Sequence, residues 1–89
     1  MYLHLGQNVV VRTSTVIGIF DIENTSLGKI TRQYLAKAQK AGRVINVSAD
    51  LPKSFIVCQE KQGVFVYLSQ ISPATLRKRT SFLEGLANL

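Results

Sequence analysis

The residues of this 89-residue chain with most to offer chemically are its cations: eleven Lys and Arg stand against five Asp and Glu, a net charge of +6. Long cationic side chains supply the donors that phosphate oxygens accept, and Arg adds a planar fork that grips two oxygens at once. Such an excess favours a polyanionic partner, with nucleic acid ahead of an anionic membrane surface. The cations do not form one run. Ten of them stand at Arg12, at Lys29, Arg32, Lys37 and Lys40, at Arg43, at Lys53, and at Arg77-Lys78-Arg79, so only folding can bring several to one surface. Three consecutive residues fan over about 200° of a helix, and Arg77, Lys78 and Arg79 therefore cannot all face one ligand.

Catalytic chemistry has thinner support. An enzyme needs a nucleophile with its base, a metal cluster, or a paired acid and base. His4 is the lone histidine, and its alternation with Leu3 and Leu5 places it on the face opposite theirs, where it reads as a surface or structural residue. One Cys and one His fall short of a zinc site. The glycines match neither GxGxxG nor GxxxxGK[ST], which leaves no nucleotide-cradling loop. Asp21 and Glu23 are the closely spaced carboxylates, and at a strand end before a helix they read as a solvated acidic patch. The expectation is a protein that is not an enzyme and uses no cofactor, metal or small-molecule substrate.

The length admits one domain, spanning 1–89. With 46% hydrophobic and 18% charged residues, the chain can build a core without staples. It carries more apolar surface than a monomer of this size readily hides, which favours a homo-oligomer. The single Cys58 lies in an apolar run and reads as a small buried hydrophobe of a reducing, cytoplasmic compartment. The N-terminus lacks a signal-peptide pattern, and no apolar stretch approaches membrane-spanning length.

The elements that must position the cations follow from periodicity and punctuation. Residues 2–5 and 8–12 read as a hairpin across Gly6-Gln7. Thr15–Ile22 is nearly all apolar, as expected of a central strand covered on both faces, with Gly18 marking a bulge or close backbone approach. Asn24-Thr25-Ser26 offers N-caps and Gly42 a C-terminal cap for a helix over 27–41. Its wheel gathers Leu27, Ile30, Tyr34, Leu35, Ala38 and Ala41 on one side and Lys29, Arg32 and Lys40 on the other. Strands follow at Arg43–Val47, Ser54–Cys58 and Val64–Leu68, the last two joined by a Glu60–Gly63 turn. Ser72 caps a helix opened by Pro73 and running to Leu86, with Leu76, Phe82, Leu83 and Leu86 as its apolar side. The order βββαβββα describes an α+β domain with a largely antiparallel sheet and two helices. Phe55, Phe65 and Tyr67 would suit a platform for single-stranded RNA, but their Val- and Ile-rich strands favour core packing.

Four stretches then carry a broader likeness: Tyr2-Leu3-His4-Leu5-Gly6-Gln7-Asn8; Ile17-Gly18-Ile19-Phe20-Asp21; Asp50 through Val57; and Tyr67-Leu68-Ser69 followed by Ser72 through Arg79. Together they resemble the RemA/RemB extracellular-matrix regulators of spore-forming bacteria, over residues 2 to about 80, on the side of the RemB branch. The resemblance implies a LytTR-like fold assembled into a closed ring of identical subunits. That ring would be nucleoid-associated and bind double-stranded DNA on its rim, as a transcriptional activator of biofilm-matrix genes. Recognition would rest on phosphates and DNA shape rather than on base edges.

In the RemA branch the DNA-contacting arginines lie in the loops after the second strand and before the fifth. Those positions fall here near Thr15 and on Asp50-Leu51. Arg12 and Lys53 are the nearby substitutes, with Arg32 or Arg43 assisting, and Arg77, Lys78 and Arg79 complete the DNA-binding candidates. The alternative is an oligomeric scaffold, or a partner subunit of a related regulator, without DNA binding of its own.

Overall fold

The computed structural model describes residues 1–22 and 28–87, with side chains through Thr80. The chain runs β1 (Tyr2–Gly6), β2 (Val9–Arg12), a 3-10 turn over Thr13–Thr15, β3 (Val16–Asp21), α1 (Gly28–Lys40), β4 (Val44–Asn46), β5 (Ser54–Glu60), β6 (Gly63–Ser69) and α2 (Pro73–Ala87). This is the expected βββαβββα order of an α+β domain. The expected N-cap residues Asn24, Thr25 and Ser26, together with Glu23 and Leu27, lie outside the described residues, as do the side chains of Phe82, Leu83 and Leu86.

The strands divide into two sheets. β1 and β2 form an antiparallel hairpin of their own, while the other four order as β3-β5-β6-β4. Three of the four strand pairings are antiparallel, and β4 runs parallel to β6. Three layers result. On one face of the larger sheet, Ile56, Cys58 and Tyr67 pack against Leu3, Leu5 and Val11 of the hairpin and Leu76 of α2. On the other, Phe55, Val57 and Val66 meet Leu35 and Ala38 of α1. Ile56 and Leu76 are fully buried, and withdrawal of such a side chain from water contributes about 1.5–3 kcal/mol.

One expectation is corrected. The apolar run through β3 is not a central strand: β3 is an edge, paired on one side with β5, and Ile17 and Phe20 are 61% and 44% exposed. The central strand is β5, whose Phe55-Ile56-Val57-Cys58 run is buried on both faces. An apolar run shows that a strand has little polar surface; it does not show which neighbours will cover it. The bulge expected at Gly18 is present, with the register slipping between Val16 and Gly18. A Cβ at Gly18 would lie 2.6 Å from the Phe20 ring, which stacks on Phe55 at a centroid distance of 4.9 Å.

α1 ends as its sequence requires. Gly42 adopts φ 71°, its N–H donates to the Gln39 carbonyl, and the Arg43 N–H reaches back to Ala38, the paired bonds of a Schellman cap. The helix covers the sheet only in part. Leu35 and Ala38 are half-buried, while Ile30 is 67% exposed and Tyr34 and Ala41 are exposed. The stripe read as one packing face therefore divides, with its outer half in solvent. α2 starts on a cap in which Ser72 Oγ accepts from the Thr75 N–H at 3.3 Å. No helix among the described residues is long and apolar enough to cross a membrane.

Candidate functional site

β5 is the ruler against which the cations are placed. Its seven residues span about 20 Å, from Ser54 at one end of the sheet to the Glu60–Gly63 turn at the other. Arg12 ends β2 beside that turn: with Ser14, Thr15, Gln59, Glu60 and Lys61 it lines an open cleft of about 620 Å³. Arg43 comes to the same end by another route. It precedes β4, and its guanidinium lies over Gly63, where an added Cβ would sit 2.6 Å from Nη1. Gly63 has φ 127° and pairs with Glu60 across the turn. Lys37, from the last turns of α1, joins Arg43 and Val64 around a neighbouring depression of about 290 Å³. Lys37 and Lys40 also offset the partial negative charge of the α1 C-terminus.

Among the described residues Glu60 is the carboxylate lining this end, and the Tyr67 hydroxyl donates to its Oε1 at 2.6 Å. Burial, then the hydrogen bond and charge of Glu60, push the Tyr67 phenol well above its ordinary value. Burial likewise raises the Cys58 thiol; a Thr15 side-chain hydrogen bond works against this, and the Glu60 charge adds to it. Cys58 is thus the small buried residue expected, held as a thiol.

Lys53 lies at the opposite end, next to Ser54. Its N–H donates to the Ser69 carbonyl at 2.8 Å and its carbonyl accepts from Ile22. Asp21 pairs in register with Ser54, so a carboxylate stands close to Lys53 in the fold as Asp50 does in sequence. The two loops expected to act together, through Arg12 and Lys53, are therefore separated by the length of β5 within one subunit. Arg32 occupies the first half of α1, exposed, with Nη2 over Gly28.

The triplet on α2 is divided, as helical geometry requires. Arg77 Nη2 donates to the Ile19 carbonyl on the β3 edge at 2.6 Å, and Arg79 Nη1 to the His4 carbonyl on β1 at 3.2 Å. These two arginines fasten α2 to two different sheets and cover otherwise open strand edges. Lys78, between them, is exposed. Phe55 and Tyr67 are buried and Phe65 is half-buried, so the aromatic rings are core residues and form no platform. His4 is exposed opposite Leu3 and Leu5, its Nε2 donating to the Gln7 carbonyl at 2.7 Å.

A family model described as RemA-like, extracellular matrix regulatory protein A-like, matches residues 2–80. The chain belongs to the RemA-like family. Among the relatives is extracellular matrix regulatory protein B of Bacillus subtilis (strain 168), 37% identical over 83 residues that cover 93% of this chain and 94% of that protein. The likeness thus embraces the whole RemA-like domain from β1 into α2, in the range and on the side expected from the sequence. In this RemA-like chain Asp50 and Leu51 occupy the loop before β5, both exposed, Leu51 at 89%.

Lys61 is the cation that sequence reasoning passed over. In the linear chain it is a turn residue between Glu60 and Gln62, with nothing basic beside it. Its neighbourhood with Arg12 arises because the start of β3 pairs with the end of β5, Val16 against Cys58, a register that its immediate sequence does not signal.

Proposed function

We propose that this chain is a DNA-binding transcriptional regulator of extracellular-matrix genes, acting as a homo-oligomeric ring that contacts duplex DNA mainly through phosphates. The observation that carries the reading is the arrival of exposed cations from β2, the β5–β6 turn, the residue before β4 and the end of α1 at one end of the sheet. Cations so placed neutralise phosphates and release condensed counterions, which supplies affinity without reading bases. Membership of a family described as extracellular matrix regulatory supports the regulatory role. Exposed apolar side chains at Tyr2, Ile17 and Ile30 support self-association, and a ring repeats a modest contact many times.

The loop before β5 favours a second reading. Asp50 would repel phosphate, and a nearly fully exposed Leu51 suits a protein contact better than a nucleic-acid one. A subunit of this kind would serve as an oligomeric scaffold or join a DNA-binding relative.

The test is binding of the purified protein to a duplex of about 40 base pairs across a salt series, with oligomer mass measured in the same buffers. The expected result is a linear fall of log affinity with log salt, at a slope of about −0.9 per phosphate contacted. An intact oligomer that fails to bind at low salt overturns the reading and leaves the scaffold role.

A further inference from the structure

Resting on that reading, we propose that the duplex is held by the Glu60–Gly63 end of the sheet, with Arg12, Arg43 and Lys61 of each subunit as its phosphate-binding set, and that Lys53 is not part of it. Arg12 and Lys61 line one cleft, and Arg43, over Gly63, lines the depression on the other side of the same turn. One concavity lies on the hairpin face of the sheet and the other on the α1 face, and both border the two-residue turn, so the cations of both faces come to the same end of the sheet, where a polyanion carrying one charge per about 1.7 Å of axis could meet them.

Two features suit this end to the task. Its cations stand on strand ends and a tight turn rather than on long loops, and the Arg43 guanidinium already lies over Gly63, which lowers the ordering cost of binding. Glu60, which lines the Arg12–Lys61 cleft and would oppose a phosphate, accepts a hydrogen bond from the Tyr67 hydroxyl, and the three cations outnumber it. Of the other candidates, Arg32 and Lys78 are exposed but line neither concavity. Arg77 and Arg79 donate to the Ile19 and His4 carbonyls, and Lys53 lies three positions after Asp50 and next to Ser54, the register partner of Asp21, so nearby carboxylates weaken its attraction for phosphate.

The experiment compares the full chain, the triple variant Arg12→Gln/Arg43→Gln/Lys61→Gln, and Lys53→Gln, on the same duplex across a salt series, with circular dichroism and oligomer mass recorded for each. The triple variant is expected to keep its fold and assembly, to bind at least about tenfold more weakly, and to lose about 0.9 of salt slope for each contact removed. Lys53→Gln should stay within about twofold of the parent. Acetylation of the unmodified protein with and without duplex gives a readout that needs no variant: Lys61 should be protected by DNA and Lys53 should not. An unchanged slope in the triple variant, or protection of Lys53 in place of Lys61, overturns the assignment while DNA binding itself stands. Failure of the parent to bind overturns the functional reading, and the assignment with it.

Discussion

The two ends of the four-stranded sheet are built for different work. At the Ser54–Ser69 end, polar groups are turned on one another. Ser69 Oγ donates to the Leu5 carbonyl at 2.6 Å and accepts from the Ile71 N–H at 3.0 Å, while Ser54 Oγ donates to the Ile71 carbonyl at 2.8 Å. Both serines are fully buried, and their bonds fasten the hairpin, the larger sheet and the approach to α2. At the Glu60–Gly63 end, Arg12, Arg43 and Lys61 are exposed and gathered around open concavities. Satisfied polar groups rigidify but have nothing left to offer a ligand; gathered surface cations add little stability and keep their donors for a polyanion. On the proposed reading, the difference teaches that this small domain separates cohesion from binding by the length of one strand.

The largest effect expected from breaking that division is at the closed end. Ser69→Ala leaves the buried Leu5 carbonyl and the Ile71 N–H without their partner and should cost about 2–4 kcal/mol of stability, measured by urea denaturation. The salt slope of DNA binding should not change. A loss of slope without a loss of stability would show that the closed end binds.

Arg77→Ala comes next. It removes a charge-assisted bond to Ile19, discounted for exposure to about 1 kcal/mol, and should leave DNA affinity within about twofold. A fall in affinity as large as that of the triple variant would move the interface to α2.

The smallest effect concerns pH. Tyr67 and Cys58 hold their protons more tightly in the folded chain than in the unfolded one, because burial disfavours their charged forms. Their stabilisation is intact below the ordinary values of 9.0 for the thiol and 10.0 for the phenol, and is lost as pH rises through the folded values. Urea midpoints should therefore decline above about pH 9, and Tyr67→Phe should flatten the upper part of that decline. A Tyr67→Phe profile identical to the parent's would mean that Glu60 is not held by the phenol.

Much of this was legible before folding. The Lys61-Gln62 turn, the Ser72-Pro73 helix start, the Gly42 cap and the Gly18 bulge each depend on a few adjacent residues, and each stands where the pattern put it. So does the split of Arg77, Lys78 and Arg79, since helical geometry alone forbids a shared ligand. The exposure of β3 was not legible, because the apolar runs of β3 and β5 look alike and differ only in their neighbours. Nor was the outer half of the α1 stripe, Ile30 and Tyr34, which the folded chain leaves in solvent.

By itself, then, the sequence determined the excess of positive charge, the element order, the turn and cap chemistry and the family likeness, all set by composition or by residues close in the chain. Only the tertiary structure decided which cations share a surface. Arg12 and Lys61 come to one cleft because β3 pairs with β5, and Arg43 comes over Gly63 at the same turn because β4 lies parallel to β6, whereas Lys53, equally basic, is carried to the far end of the same strand. Charge is a property of side chains one at a time; a binding surface is a property of the register that brings them together.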